Sequence, residues 1–218
     1  SLVSGGADVV METNAGNIAK AQEGGYPTDV VPLNGGLFLA MNMDRPPFDD
    51  IRARQAVLAA IDLEALNQTV YNGAAEIADT LFVESSPLYV DKPLRQTDKE
   101  RAQQLFDELA AEGKPVTFTF TSFASSEIRD TAEAIQTQLS AFDNVKVEIE
   151  IVDFTKSSEL QATRGFDMLV WSSNFVDPDP RLNTAFHSAS RGNFPGVKDP
   201  ELDAALKDGR LATTVEER

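Results

Sequence analysis

Between Pro115 and Trp171 the apolar residues switch repeatedly between a two-residue and a 3.6-residue period, and this alternation constrains the fold more than any other feature. Pro115 to Thr121 places Val116, Phe118 and Phe120 on one side and Thr117, Thr119 and Thr121 on the other, the period of a half-buried strand. Ser125 or Ser126 then caps a helix running to Phe142, with Ile128, Ala132, Ile135 and Leu139 forming one stripe. Asn144 to Val152 alternates again, with Val145, Val147, Ile149 and Ile151 inward and Lys146, Glu148 and Glu150 outward. A short helix around Ser157 to Thr163 leads to the apolar strand Phe166 to Trp171. Strand, helix, strand, helix, strand at these lengths requires βαβ crossovers, so an α/β protein with at least a partly parallel sheet is predicted.

The amino-terminal half is punctuated differently. Ala7 to Glu12 reads as a short strand, and Asn14 to Glu23 as a helix capped by Asn14. Thr28 to Leu33 and Leu37 to Asn42 read as extended segments separated by Gly35-Gly36. Pro46 and Pro47 end the second segment, because proline lacks the N–H of a ladder and disfavours helix at its predecessor. Asp49 or Asp50 caps the following helix, with Val57, Leu58 and Ile61 as its apolar stripe. Asp62 opens another through Leu63, Leu66 and Val70, closed by Gly73.

Gly73 to Asp91 lacks periodicity and reads as a surface connection. Thr97-Asp98-Lys99-Glu100 forms a capping box for a helix burying Ala102, Leu105, Phe106 and Leu109, with Gly113 past its end. Beyond Trp171 the pattern gives a loop at Asn174 to Asp179, a helix from Arg181 to Ser190, a loop at Arg191 to Lys198 and a last helix opened by Asp199-Pro200, with Leu202 and Leu206 on one side.

The 218 residues allow one large domain or two small ones, and 42% hydrophobic content suffices for a core. Cysteine is absent, which removes disulfides, thiolate metal sites and a thiol nucleophile. No apolar run approaches the roughly 20 residues that span a bilayer, and SLVSGGADVV lacks the regions of a signal peptide. The formal charge of −16 repels phosphate, so nucleic acids and anionic membranes are disfavoured as partners. The acidic residues are spread along the chain, which fits solubility better than an acidic site.

Enzymatic readings find little support. His187, the one histidine, stands without a partner motif, and no Gly-x-Ser-x-Gly, His-Glu-x-x-His or P-loop occurs. Asp177 and Asp179 are flanked by prolines in a turn; a hard cation such as Ca²⁺ is the metal such a pair would suit. No catalytic residue, metal site or cofactor is expected.

The segment from Pro46 to Asp62 carries a more specific signal. Asn42 closing a strand, then Pro46, Pro47, Phe48, Asp49, Asp50, Ile51, Arg52, Arg54, Gln55 and Ala56, then Ala60, Ile61 and Asp62, resembles bacterial extracellular solute-binding proteins of family 5, the peptide/nickel type. FDMLVW, DPDP, the Asn193 region and DPELDAALKDGR follow in the family's order, so the resemblance spans nearly the whole chain.

It implies the carboxy-terminal lobe of a type II periplasmic-binding-protein fold, a mixed sheet flanked by helices. Residues 1–218 would form this single lobe, with about 1–35 belonging to the hinge or the other lobe, and the chain would be an excised piece of a larger exported protein. The implied function is capture of a peptide or peptide-like solute for the permease subunits of an ABC-type importer. A monomer is expected in the periplasm or at the outer face of the cytoplasmic membrane, touching the membrane only through the transporter or a lipid anchor. The rival readings are an enzyme or sensory domain on a similar scaffold, and a binder of a non-peptide solute such as a metal chelate or sugar.

Open α/β sheets bind ligands beyond the carboxyl ends of their strands. The strand ending at Trp171 therefore aims Trp171, Ser172, Ser173 and Asn174 at any site: one flat apolar face, two hydroxyls and one amide. From the residues alone, core and turn serve equally as an explanation. The resemblance favours a site, because peptide binders of the family have Trp-x-x-Asp before the Asp-Pro turn, and that Asp meets the ligand's α-ammonium. Counted back from Asp177-Pro178, the matching residue is Asn174; counted without a gap from Phe166-Asp167-Met168, Ser173 falls at the aromatic position. Phe38 is a further candidate contact, with a core role as the competing reading.

Overall fold

The computed structural model describes residues 2–94 and 96–218. Four strands form one mixed sheet in the order β1-β4-β2-β3, where β1 is Asn34–Met41, β2 Val116–Phe123, β3 Val145–Val152 and β4 Met168–Phe175. β2 and β3 run parallel from Val116↔Val145 to Phe123↔Val152. β4 lies parallel to β2, but they pair only at Phe120↔Met168 and Thr121↔Leu169. β1 is antiparallel to β4 along its whole length, from Asn34↔Phe175 to Met41↔Met168. The expected α/β architecture with a partly parallel sheet is therefore present.

One side of the sheet is covered by helices α2 (Ile51–Ala60), α4 (Lys99–Ala111) and α5 (Ser126–Leu139). Asp50 caps α2 by accepting from Arg52 N at 2.9 Å, and Ser125 caps α5 by accepting from Ile128 N at 3.3 Å. Phe106, Phe118 and Phe120 are buried in this layer, with Phe48 packed on Phe118 at a centroid distance of 4.9 Å. Burying each such aromatic contributes roughly 1.5–3 kcal/mol, which makes this layer the main core. Helix α3 (Leu63–Tyr71) closes through Asn72 at φ 52 and Gly73 at φ 77, the left-handed end anticipated at Gly73. Helices α1 (Ala15–Glu23), α6 (Ser157–Thr163), α7 (Arg181–Phe186) and α8 (Pro200–Leu211) complete the α-helices among the described residues, and a 3₁₀ turn at Phe154–Lys156 precedes α6. Asn14 caps α1 and donates its amide to Glu127 Oε2 on α5 at 2.7 Å, fixing the amino-terminal segment to the helical layer.

Several local expectations are corrected. Ala7 to Glu12 is not a strand: the Glu12 carboxylate turns back to accept from Thr13 N, Asn14 N and Asn17 Nδ2, which leads the chain into α1. Thr28 to Leu33 joins no strand, whereas β1 runs straight through Gly35-Gly36. Gly35 has φ +84, and a Cβ there would stand 1.9 Å from Ser173 O, so glycine is what lets the two backbones approach. Leu58 is 44% exposed because α2 buries Ala53, Ala56, Val57 and Ala60 instead. The cap of α4 is Asp98, accepting from Arg101 N, while the Thr97 hydroxyl is diverted to Ile61 O.

Ile151 is 53% exposed near the end of the edge strand β3. Helix α7 stops at Phe186, short of Ser190, because Ser188 N donates to Asp203 Oδ1 and the Ser190 hydroxyl takes Thr184 O. The largest departure concerns β4. It continues beyond Trp171 to Phe175, so Ser172 and Ser173 extend the strand, and Asn174 and Phe175 belong to it and not to the loop expected from Asn174. The ladder with β1 outweighs the weak strand propensity of Ser-Ser-Asn.

Candidate functional site

Alternation along β4 sorts the candidate residues onto opposite faces of the sheet. Met168 and Val170 join the helical core, and Ser172 and Asn174 follow them on that face, both exposed where the helices no longer cover it. Leu169, Trp171 and Ser173 face the other way, opposite Ala40, Phe38 and Gly36 of β1. The structure thus brings Phe38 and Trp171 together as register partners, both half-buried. It does not bring Asn174 to Trp171: Asn174 pairs with Gly35, and Ser172 with the 58% exposed Leu37. Residues three apart in a strand point in opposite directions, so the indole and the amide meet different surroundings.

Trp171 stands in a chain of rings. Phe194 lies 5.3 Å and Phe123 6.2 Å away between centroids, both edge-on; Phe123 in turn meets the exposed Phe154 at 5.2 Å, and Phe38 meets Phe186 at 6.3 Å. Phe194 also packs on Phe166, which with Leu169 and Ala40 forms a second, smaller core. The position is set by the sheet. β2 and β4 separate after Thr121 and Leu169, and the rings of Phe123 and Trp171 stand where they part, toward the carboxyl ends of both strands. Chain connections leave β2 toward β3 on one side and return to β4 on the other, which is the switch point where α/β sheets bind ligands.

Polar groups at this wall are few. Ser173 is 8% exposed, and its Oγ has no hydrogen-bond partner among the described residues. Beside it, a Cβ built on Gly36 meets nothing within 4 Å, so open space adjoins the Phe38–Trp171 pair. Asn34, buried at the start of β1, accepts from Val83 N at 3.0 Å and donates to Val176 O at 3.0 Å, tying the long connection after α3 to the end of β4. Asp177 is held by Arg218 Nη1 at 2.5 Å and Asp179 N at 2.9 Å, and the Arg218 hydrogen bond keeps its carboxyl below the usual carboxylate range. It is therefore a turn residue engaged with its own chain.

Among the described residues no group of three His, Asp or Glu side chains is placed to hold a metal ion. No described helix is long and apolar enough to cross a membrane.

Phe123, Phe154, Phe186 and Phe194 were not singled out by sequence. Only Phe123 carried a signal: the outward series Thr117, Thr119, Thr121 ends on an aromatic, which a solvated strand face would not require.

The chain belongs to the family described as bacterial extracellular solute-binding proteins, family 5 Middle, whose pattern matches residues 1–193. It is 29% identical over 191 residues to a probable di/tripeptide-binding protein 5 of Pseudomonas aeruginosa, covering 83% of this chain and 36% of that protein. It is also 29% identical over 234 residues to heme-binding protein A of Haemophilus influenzae, covering 100% of this chain and 41% of that protein. Among solved structures, a dipeptide binding protein from Pseudoalteromonas sp. SM9913 in complex with Met-Leu superposes with a TM-score of 0.77 at 22% identity, over 100% of this chain and 45% of the other. The chain thus spans roughly two fifths of the length of these relatives, and its fold is that of periplasmic binding proteins.

Proposed function

We propose that this chain is one lobe, the carboxy-terminal one, of the substrate-binding component of an ABC-type importer, and that the solute is a peptide or peptide-like molecule. The observation that carries the reading is the half-open Phe38–Trp171 pair at the parting of β2 and β4. Flat apolar faces beside a sheet's carboxyl ends suit the side chain of a captured solute, while the unpartnered Ser173 Oγ supplies one polar group once its rotamer turns. The Pseudomonas relative is named for di- and tripeptides. Capture proceeds by hinge closure of a second lobe over this wall, after which the closed monomer docks on the permease at the outer face of the cytoplasmic membrane. No bond of the solute is made or broken.

A second reading, a non-peptide solute, draws on the residues of the wall: Phe38, Trp171, Phe194 and Ser173 bring no carboxylate to a cationic ligand group, so the charge-assisted component of ammonium recognition is missing there. A relative matched over the full chain is named for heme.

Calorimetry with a dipeptide and its N-acetylated form distinguishes the readings. Preference for the free amine in the protein that carries this chain supports the peptide reading; because Asn174 lies on the opposite face of β4 from Trp171, Asn174→Asp is expected to leave that preference unchanged. Tight binding of heme or a metal chelate with no response to dipeptides would replace it. The 218-residue chain alone is expected to bind its solute weakly, because one wall leaves the ligand hydrated on its other side.

A further inference from the structure

Helix α7, the turn after it and helix α8 border a separate, open cleft of about 530 Å³, lined by Asn183, His187, Ala189, Lys207, Arg210 and Leu211, with the Ser190 hydroxyl at its edge. In a chain of formal charge −16, the ionisable residues lining this cleft are all basic. Their valences are distributed as donors. His187 Nδ1 accepts from Ala189 N at 3.1 Å, so the neutral ring carries its proton on Nε2. Asn183 Oδ1 accepts from Arg210 Nη1 at 3.4 Å, which leaves the amide N–H groups to donate. Ser190 is spent within the fold, donating to Thr184 O and accepting from Gly192 N.

The charges are unequally matched. Arg210 Nε lies 3.1 Å from Asp179 Oδ1, an ion pair without hydrogen-bond alignment, so its charge is largely met. Asp203 accepts from the backbone and hydroxyl of Ser188 and lies 3.7 Å from His187 Nδ1. Lys207, one turn further along α8, has no hydrogen-bond or ion-pair partner among the described residues. A lysine on an open surface is ordinarily hydrated and needs no ligand. This one, though itself exposed, borders a cleft with other N–H donors, no carboxylate in the lining, and the exposed apolar surfaces of Ala189 and Leu211 beside it.

We infer that this cleft binds a carboxylate borne on an apolar body, with the Lys207 ammonium on the carboxylate, Nε2–H of His187 and the Asn183 amide as flanking donors, and the body against Ala189 and Leu211. The ligand is a free organic acid or the carboxyl end of a peptide, which share this chemistry. The site shares no residue with the aromatic wall and does not depend on the reading proposed for it.

Because His187 is the one histidine, its imidazole protons give an isolated NMR reporter inside the cleft. Titration at fixed pH with N-acetyl-leucine is expected to shift these signals saturably, and the uncharged N-acetyl-leucinamide to leave them in place. Lys207→Met should weaken binding at least tenfold, and Lys207→Arg should retain it. 4-Methylpentanoate, a bare acid of similar body, separates the sources: equal affinity marks a free acid, and tighter binding of N-acetyl-leucine a peptide end. Equal shifts from the acid and its amide, an unchanged affinity in Lys207→Met, or no shift with any acid would overturn the inference.

Discussion

On its helical side the sheet buries a continuous core from Met41 to Val170, closed by α2, α4 and α5, whereas its other side gathers a smaller cluster of Ala40, Phe166, Leu169 and Phe194, with Phe123 and Ser173 also buried, and leaves Phe38 and Trp171 half open. The same strands supply both sides, one residue apart, so the difference lies in what covers them. Helices seal the first side, and aromatic rings from loops partly screen the second. A fold that must stay rigid while presenting a surface can separate the two tasks in this way, because alternation makes each strand serve both.

Four measurements can break or sharpen that comparison. Phe120→Ala, on the sealed side, should lower unfolding stability by about 3–5 kcal/mol in denaturant titration. If Trp171→Ala cost as much, the aromatic side would be core and not an exposed wall. Gly35→Ala should cost about 3 kcal/mol, since its Cβ meets Ser173 O and its φ of +84 is unfavourable for alanine. Gly36→Ala meets no atom and should cost roughly half as much or less, the conformational part alone. Equal losses at the two glycines would mean that the β1–β4 approach is looser than described.

Phe38→Ala is expected to cost about 1–2 kcal/mol, between surface and core values, because its ring is half-buried. Emission from Trp171, the one tryptophan, should shift red in the same variant as its neighbour is removed. Unchanged emission would remove Phe38 from the wall.

The smallest effect concerns the rim of the sealed side, where Arg52 bridges Asp50 and Glu112. The Arg52 hydrogen bonds hold both carboxyls down to about 2, from 3.8 and 4.5. A depressed folded-state pKa gives stability that is present above the unfolded value and lost as pH falls toward the folded one. Wild type should therefore lose more stability between pH 4 and pH 2 than Asp50→Asn, in which asparagine still caps α2. Solvent and salt screen an exposed pair of this kind, so the divergence will be slight. Parallel acid titrations of the two proteins would show that the bridge contributes nothing.

Periodicity made most of the sealed side legible. Val116, Phe118 and Phe120 in β2 and Ala132, Ile135 and Leu139 in α5 are buried as their spacing requires, because a regular element packed on one face repeats its environment. The open side was only half legible. Phe154, Phe186 and Phe194 come from loops or a helix end, where no period exists to betray them. The strand looked finished at Trp171, with a loop from Asn174, because pairing with a distant β1 leaves no mark on local propensity. The candidate list grouped Trp171 with Asn174 on nearness in sequence, and the pleat set them apart.

The long reach of β1 has a consequence for the order of assembly. Val116 to Val152 is a compact stretch whose β2–α5–β3 unit closes through short loops, while Asn34 must find Val176, 142 positions away. Closing so large a loop costs chain entropy before any contact rewards it. The β1–β4 ladder should therefore form last and open first, and amide exchange should be fastest in β1. A nascent chain would carry the β2–β3 pair with one unclaimed flank, and β1 without its neighbour, until the residues of β4 up to Phe175 arrive.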